Sequence, residues 1–404
     1  MTAGRRPPAG RHAAAWPALV VLALALRLGA VTLLADSAPE QNDRVLRYDP
    51  IAHSLLAGEG FRRGGVPVAV SPPVYPLFLA AVYGVFGPSA GAARTALAVV
   101  DAATVGLVFL LARRLFGART AVLAGLGAAF LPYSIVQIVY GGSDTLFLFL
   151  HTAFLATFAH AWLSGRRGAF AAAGALLGLA TLCRAVPLLL PALLAALILA
   201  AGRAPWRQRT VHAALVAVSF AAVVSPWMVR NYLVFDRFVP VQTLGGLHLF
   251  LATFDSDELP RAGATERAPA QLQDDVARDR HLRAQAIERI RRDPGRYLRH
   301  AGGRLVRMWS KTHSGRYEGW LLAANSLLLA MAAAGVALAR RRWRLLPLLA
   351  VFAYYVGLHA VLLAIFRYLL PVVPILLVLA AVPVARLLGE RDAGSPAAAP
   401  PPAP

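Results

Sequence analysis

Charged residues and cysteine are both scarce in this chain. Only 15% of its 404 residues are charged and 58% are hydrophobic, whereas soluble globular domains carry about 25% charged residues. The single cysteine, Cys183, excludes an internal disulfide and a multi-cysteine metal site. The basic residues, nearly all arginine, are spread between apolar runs and do not form one face, which argues against nucleic acid as a partner. This composition predicts an integral membrane protein that has the lipid bilayer as its surroundings.

Motifs for soluble cofactors are missing as well. No Walker loop, dinucleotide fingerprint or His-x-x-x-His pair occurs, so nothing in the sequence supports ATP or NAD chemistry. Four histidines, His151, His160, His212 and His359, lie in or beside apolar runs without ligand spacing, and we interpret them as core or interface residues. No motif in the sequence requires a cofactor, and a divalent metal stays an open alternative.

Apolar runs that are long enough to cross a bilayer recur along the chain. A span needs about 20 apolar residues, and about ten candidates fit, at 16–35, 93–112, 119–139, 145–163, 169–183, 186–201, 210–228, 320–339, 345–364 and 369–388. Segment 72–86 is also apolar, but it is short and starts with two prolines, so we predict a re-entrant or interfacial helix there. The expected fold class is an all-α polytopic membrane protein.

Arginine clusters set the expected orientation of these spans. Short arginine-rich loops face the cytoplasm, and the clusters lie on the side of the N-terminus if segment 72–86 does not cross. Both termini are then cytoplasmic, and the Pro/Ala-rich tail 389–404 is expected to be disordered. We read the first apolar run as a retained helix and not as a signal peptide. The expected segments are the N-terminus 1–15, the membrane domain 16–388, and two outer loops, 36–92 and 229–318.

The second outer loop contains a predicted amphipathic helix. Asp293 and Pro294 are typical of an N-cap and a first helical position. The residues that would share one face are Tyr297, Ala301, Leu305 and Met308. The arginines of this helix would contact either anionic headgroups or plain solvent, and the sequence leaves both alternatives open.

A few charges remain at the outer ends of helices, where the orientation rule does not explain them. Arg184, Arg230 and Arg367 all fall there, and Arg suits phosphate because its planar fork donates bidentate hydrogen bonds. The alternative is that each arginine extends to the headgroups. Asp144 also lies at an outer end, as an exposed helix N-cap or as a site residue. We predict that the three arginines converge on a phosphate site.

The first outer loop holds several acids in the stretch NDRVLRYDPIAHSLLAGEGF. Asp49 and Pro50, followed by IAHSLLA and Gly58, predict an N-capped short helix. That structural role makes Asp49 the weaker candidate for chemistry. Asp43 has no such role, and Glu40 and Glu59 stay open.

Six stretches together resemble the GT-C membrane glycosyltransferases, and the protein-mannosyltransferase and aminoarabinose-transferase-like group in particular. They are YDPIAHSLLAGEGF, SPPVYPLFLAAVYGVFG, LARRLFGART, LCRAVP, SPWMVRNYLVFDRFVPV and FRYLLPVVPILLVLA. The resemblance implies an enzyme of the inner or plasma membrane that moves a sugar from a polyprenyl-phosphate donor to an envelope lipid, glycan or protein on the extracytoplasmic face. It also implies a catalytic Asp in the first outer loop and basic residues at the lipid phosphate.

The chain departs from that family at one position. Relatives place the Asp four residues before the Tyr of Y-x-x-I-A, which is Tyr48 here, and Arg44 occupies that position while Asp43 lies one residue further away. The catalytic candidates are therefore Asp43 and Asp49, with Tyr48 and Asp144 at the donor or acceptor site.

The expected reaction is a single displacement in which the acid acts as general base, which inverts the sugar's configuration. The alternative function is a transporter or flippase of lipid-linked sugars, although the two halves show no convincing internal repeat.

Overall fold

Helices dominate the computed structural model, which describes residues 15–34, 42–254, 274–312 and 317–390. The segments 1–14 and 391–404, like Glu40, lie outside the described residues. The α-helices are α1 (Ala15–Leu34), α2 (Asp49–Leu56), α3 (Val74–Phe86), α4 (Ala90–Leu115), α5 (Ala118–Ala129), α6 (Pro132–Tyr140), α7 (Asp144–Ser164), α8 (Arg167–Cys183), α9 (Leu190–Ala201), α10 (Trp206–Phe235), α11 (Gly245–Leu251), α12 (Asp275–Arg292), α13 (Pro294–Arg307), α14 (Glu318–Leu338), α15 (Leu346–Val361) and α16 (Val373–Leu387).

Short elements connect several of these helices. Three 3₁₀ helices span Val186–Leu189, Arg342–Leu345 and Phe366–Val372, and a π-helix spans Arg44–Tyr48. The strands β1 (Arg62–Arg63) and β2 (Val66–Pro67) pair antiparallel as a small hairpin in the first loop. The fold is therefore an all-α bundle, as the apolar runs predict.

Among the described residues, seven helices are long and apolar enough to cross a membrane, or eight if α5 and α6 form one span. Those two helices meet at an angle of 43°. Two of the about ten expected spans, 169–183 and 186–201, correspond to shorter apolar helices, α8 with 17 residues and Val186–Ala201, which this length criterion does not count. Helix α3 has 13 residues, which agrees with the prediction that segment 72–86 is too short to span.

A buried arginine satisfies the backbone where α5 breaks. The break leaves helix carbonyls without donors, and the bilayer core offers no water to replace them. Arg27 of α1 donates to Ala129 O at 2.5 Å and to Ala128 O at 3.0 Å, and its Nε lies 2.7 Å from a carboxylate oxygen of Asp101. Ser134 of α6 donates to the other carboxylate oxygen at 2.7 Å. No pattern in the sequence predicts this network, which joins α1, α4, α5 and α6.

Small residues let helices of the bundle approach closely. A Cβ at Gly174 of α8 would collide with Val216 O of α10, and a Cβ at Gly335 of α14 would collide with Leu379 O of α16. Glycine at such contacts is typical of membrane helix pairs. These two close pairs help to fix the core of the bundle.

Arginine-rich turns meet at the end of the bundle where α7 finishes. Trp162 near the end of α7 donates to Trp343 O at 3.0 Å, and the Arg203 guanidinium lies 4.2 Å from the Trp343 ring centre. Glu390, which follows α16, accepts from the backbone N–H groups of Arg119 at 2.8 Å and Thr120 at 3.0 Å, and so it caps α5. The turns that carry Arg203 and Trp343 therefore lie together at this end of the bundle.

Helix α13 begins as the sequence predicts. Asp293 is its N-cap and accepts from Arg296 N at 2.8 Å, and Pro294 is its first residue. Met308 is fully buried at its end, while Leu305 is 44% exposed, so the predicted apolar face is only partly covered. Arg304 is buried and donates to Ala360 O at 2.8 Å, which holds α13 against the end of α15.

Candidate active site

A buried ion cluster joins the ends of three helical segments. Asp144 is the first residue of α7 and is only 3% exposed. Its carboxylate lies 2.6 Å from Nη1 of Arg184, which follows α8, and accepts from Arg367 Nε at 2.9 Å and Nη2 at 2.6 Å. The interpretation of Asp144 as an exposed N-cap is therefore wrong, because its oxygens are taken by two arginines.

Asp43 joins this cluster from the first loop. Its Oδ2 lies 2.8 Å from Arg367 Nη2, and its side chain remains 37% exposed. Tyr48 is buried nearby, with its hydroxyl 3.2 Å from Ser143 Oγ. The structure thus brings together five of the residues that the sequence singled out, and Asp43 is the acid among them that is open to a substrate.

A cavity of about 460 Å³ opens beside the cluster. Asp43, Arg184 and Arg367 line its polar part, together with Arg47 and Arg283. Its apolar wall includes Val186, Leu188, Leu189, Leu358, Leu362 and Leu363. The cavity therefore suits an amphipathic ligand that has an anionic head and a hydrocarbon chain.

Arg230 lies apart from this cavity. It donates to Phe61 O and Val68 O, both at 3.1 Å, and lies 4.8 Å from the Trp227 ring centre. The prediction that Arg230 converges with the other two arginines is wrong, because carbonyls at either side of the β1–β2 hairpin take its donors. In the structure, Arg230 holds the first outer loop against α10.

Asp49 also has a structural role, but a different one from the predicted cap. It belongs to α2, and its carboxylate accepts from Arg44 Nη1 at 2.5 Å and from the Tyr83 hydroxyl at 2.7 Å. No side-chain cap forms, because the chain is already helical before Asp49 and the position needs none. Burial and the bond to Asp49 raise the pKa of Tyr83 to about 12. Glu59 is exposed and accepts from Ser54 Oγ at 3.3 Å, away from the cavity lining.

Comparisons with known proteins identify the architecture. Residues 70–229 match the model of the dolichyl-phosphate-mannose-protein mannosyltransferase family. The oligosaccharyltransferase AglB from Archaeoglobus fulgidus, in complex with an inhibitory peptide and a dolichol-phosphate, aligns with a TM-score of 0.56 and 16% identity over 95% of this chain and 52% of that one. The chain has the GT-C glycosyltransferase fold.

Two further solved structures are similar to the chain. The apo form of the same AglB aligns with a TM-score of 0.58 and 16% identity over 96% of this chain and 53% of that one. ArnT from Cupriavidus metallidurans bound to undecaprenyl phosphate is 21% identical over 91% of this chain and 78% of that one, with a TM-score of 0.44. The chain spans about half the length of the AglB chains that it matches. No curated protein sequence matches it.

The π-helix explains how this chain departs from the expected family spacing of Asp and Tyr. In the turn Arg44–Tyr48, the N–H of Asp49 donates to Arg44 O, five residues back. A π turn holds one residue more than an α turn and often occurs at functional sites. The extra residue between Asp43 and Tyr48 is therefore accommodated inside a helix, and Asp43 contacts Arg367 despite the offset.

Several polar residues of the cavity wall could not be singled out from the sequence, and Arg47 and His248 are two of them. Arg47 donates to Val70 O at 2.9 Å, and only its place next to Tyr48 could have drawn attention to it. The ring of His248, in α11, is tilted against the ring of Tyr368, with ring centres 5.9 Å apart. Burial, with Arg184 and Arg47 nearby, lowers the pKa of His248 to about 4, so its ring is neutral at physiological pH. No sequence signal distinguished His248.

The described residues contain no group of three or more His, Cys, Asp or Glu side chains that is arranged to hold a metal ion. One AglB structure contains Zn and sulfate. Asp43 and Asp144, the two carboxylates of the ion cluster, both accept from Arg367 Nη2.

Proposed function

We propose that this chain is a glycosyltransferase that moves a sugar from a polyprenyl-phosphate donor to a hydroxyl of an envelope lipid, glycan or protein. One observation carries the proposal: the cavity has Asp43 and two arginines at one end and an apolar wall at the other. The matched relatives support the donor class, since the family model is named for dolichyl-phosphate-mannose and AglB was solved with a dolichol-phosphate.

The proposed site faces the extracytoplasmic side of the membrane. Asp144 begins α7, whereas the turns with Arg203 and Trp343 lie at the end where α7 finishes. Arginine-rich turns favour the cytoplasm. The catalytic end would therefore point outward, and both termini would lie inside.

Arg184 and Arg367 are the proposed ligands of the donor phosphate. Arg184 donates to Asp144 through Nη1, and Arg367 donates to Asp43 and Asp144 through Nε and Nη2. The other N–H groups of both guanidinium groups remain for a ligand in the cavity. Donors that are already fixed by buried Asp144 need little rearrangement when charge develops on the leaving phosphate. This preorganisation is the electrostatic part of the proposed catalysis.

Asp43 is the proposed general base. The acceptor oxygen forms a bond with the anomeric carbon, its proton moves to Asp43, and the bond from that carbon to the phosphate oxygen breaks with its electrons on the phosphate. Asp144 is buried with its oxygens on arginines, so it is a poor nucleophile for a two-step reaction. A single displacement with inversion follows.

Arg367 couples donor binding to this base. Its Nη2 serves both Asp43 and Asp144, and an arriving phosphate competes with Asp43 for the same guanidinium. The phosphate would displace the exposed Asp43 from Arg367 more readily than the buried Asp144. Donor binding would then release Asp43 toward the acceptor.

A reconstitution experiment separates this function from that of a flippase. Purified protein in liposomes would receive a radiolabelled polyprenyl-phosphate sugar and an envelope extract as acceptor source, with and without EDTA. We expect sugar transfer with stoichiometric release of polyprenyl phosphate. Movement of intact donor between leaflets without cleavage would favour the flippase, and loss of transfer in EDTA would reveal a metal requirement.

A further inference from the structure

Arginines outnumber carboxylates around the cavity. Four arginines line it, and three of them form ion pairs with carboxylates. The paired groups are Arg184, Arg283 and Arg367 with Asp43, Asp144 and Asp279. Within the described part of the chain, each of these three carboxylates is occupied, and one lining arginine has no acid beside it.

That arginine is Arg47. Its Nη2 donates to Val70 O at 2.9 Å and lies 3.5 Å from Ser71 Oγ, and both partners are neutral. Its Nε is buried without a hydrogen-bond partner. The guanidinium also lies 5.4 Å from the centre of the Tyr48 ring, which forms part of the same wall. A partly buried charge without a counter-ion is costly, so an anionic ligand would stabilise it.

The charge balance indicates what the ligand carries. Four arginines against three carboxylates leave one positive charge, and His248 adds none because burial keeps its ring neutral. The phosphodiester of a polyprenyl-phosphate sugar carries one negative charge. Donor and cavity therefore neutralise each other when the sugar itself is uncharged.

We propose, on the basis of the proposed function, that the donor sugar is electrically neutral and that Arg47 sets this preference. An ammonium group on the sugar would restore one uncompensated positive charge to the set of four arginines, three carboxylates and the donor phosphate. A uronate would leave one negative charge in excess. Of the two donor types that the family resemblance suggests, a mannose-like hexose fits and an amino sugar does not.

Competition binding tests this preference without knowledge of the acceptor. Tritiated undecaprenyl phosphate, bound to the full chain in detergent, is displaced by undecaprenyl phosphates that carry glucose, a 4-amino pentose or glucuronate. We expect the glucose donor to compete about tenfold better than the amino sugar donor, because like charges repel in the cavity. Inorganic phosphate should compete only at far higher concentration, since it lacks the chain that the apolar wall contacts.

Variants assign the preference to Arg47. Arg47→Gln should weaken binding of undecaprenyl phosphate about tenfold and shrink the gap between neutral and amino sugar donors. Arg47→Lys keeps the charge and should retain both properties. Arg62→Gln, a change of an exposed arginine in the same loop, is the matched control and should behave as the native chain.

The outcomes separate two failures. If the native chain binds no undecaprenyl phosphate, the proposed function itself is wrong. If it binds undecaprenyl phosphate but prefers the amino sugar donor, only the neutral-sugar inference is overturned. Equal competition by inorganic phosphate would overturn the lipid source of the anion, and an unchanged preference in folded Arg47→Gln would remove Arg47 from this role.

Discussion

Arg367 Nη2 lies 2.8 Å from Asp43 Oδ2, although the two residues are 324 positions apart. The arginine belongs to a 3₁₀ helix between α15 and α16, and the aspartate directly precedes the π-helix of the first loop. Their contact ties the first loop to the last part of the bundle. It also places Asp43, the most exposed acid of the cluster, at the proposed phosphate site. A general base needs such a position, within reach of the acceptor hydroxyl whose proton it takes.

The π-helix offers a direct test of this placement. Leu46 is 54% exposed, so its side chain contributes little packing. Deletion of Leu46 would convert the turn to α geometry and rotate Asp43 by about 100° around the helix axis. We expect transfer to fall at least about 100-fold, measured as radiolabelled product per minute. Leu46→Ala is the matched control and should retain activity, whereas an active deletion variant would show that the π turn does not position Asp43.

The buried pair Arg27 and Asp101 should matter for stability. Both side chains are almost fully buried, at 0% and 2% exposure. Arg27→Met leaves Asp101 uncompensated and removes donors from Ala128 O and Ala129 O, so we expect a loss of about 3–5 kcal/mol. The measurement is unfolding of the purified protein in mixed micelles.

A second substitution tests whether charge causes that loss. Asp101→Asn in the Arg27→Met background should recover part of the stability, because the unpaired carboxylate is gone while the carbonyls still lack donors. A double variant that is no more stable than Arg27→Met would contradict this explanation. The packing of the Arg27 side chain, and not its charge, would then account for most of the lost stability.

His248 should make stability depend on pH. Its pKa in the folded protein is about 4, below the usual 6.5, because of burial first and of Arg184 and Arg47 second. As the pH falls from 6.5 toward 4, the unfolded chain takes up a proton that the folded chain excludes, so this residue lowers stability in that window. His248→Gln should show a smaller drop in melting temperature between pH 7 and pH 5 than the native chain. Identical slopes would mean that His248 titrates normally.

The sequence was most informative about boundary charges. Arg184, Arg367 and Asp144 were identified because charges at the outer ends of apolar runs are costly and need partners. The same rule failed for Arg230, since sequence position alone does not reveal that Phe61 O and Val68 O accept its donors. It gave no hint of the π turn, which depends on hydrogen-bond geometry.

Apolar length predicted the membrane class but not where a helix breaks within an apolar run. The junction of α5 and α6, which meet at 43°, is such a break. Single charges inside long apolar runs, such as Arg27 and Asp101, give no signal because one charge hardly changes the mean hydropathy of the run. Only the tertiary contact shows that they pair at 2.7 Å.

The most direct test of the account concerns the base. Asp43→Asn, Asp49→Asn and Glu59→Gln would be compared for sugar transfer and for binding of undecaprenyl phosphate. We expect Asp43→Asn to lose about 100- to 10,000-fold in turnover while it still binds the lipid phosphate. Asp49→Asn should mainly lose stability, and Glu59→Gln should behave as the native chain. Undiminished transfer by a folded Asp43→Asn variant would contradict the central claim.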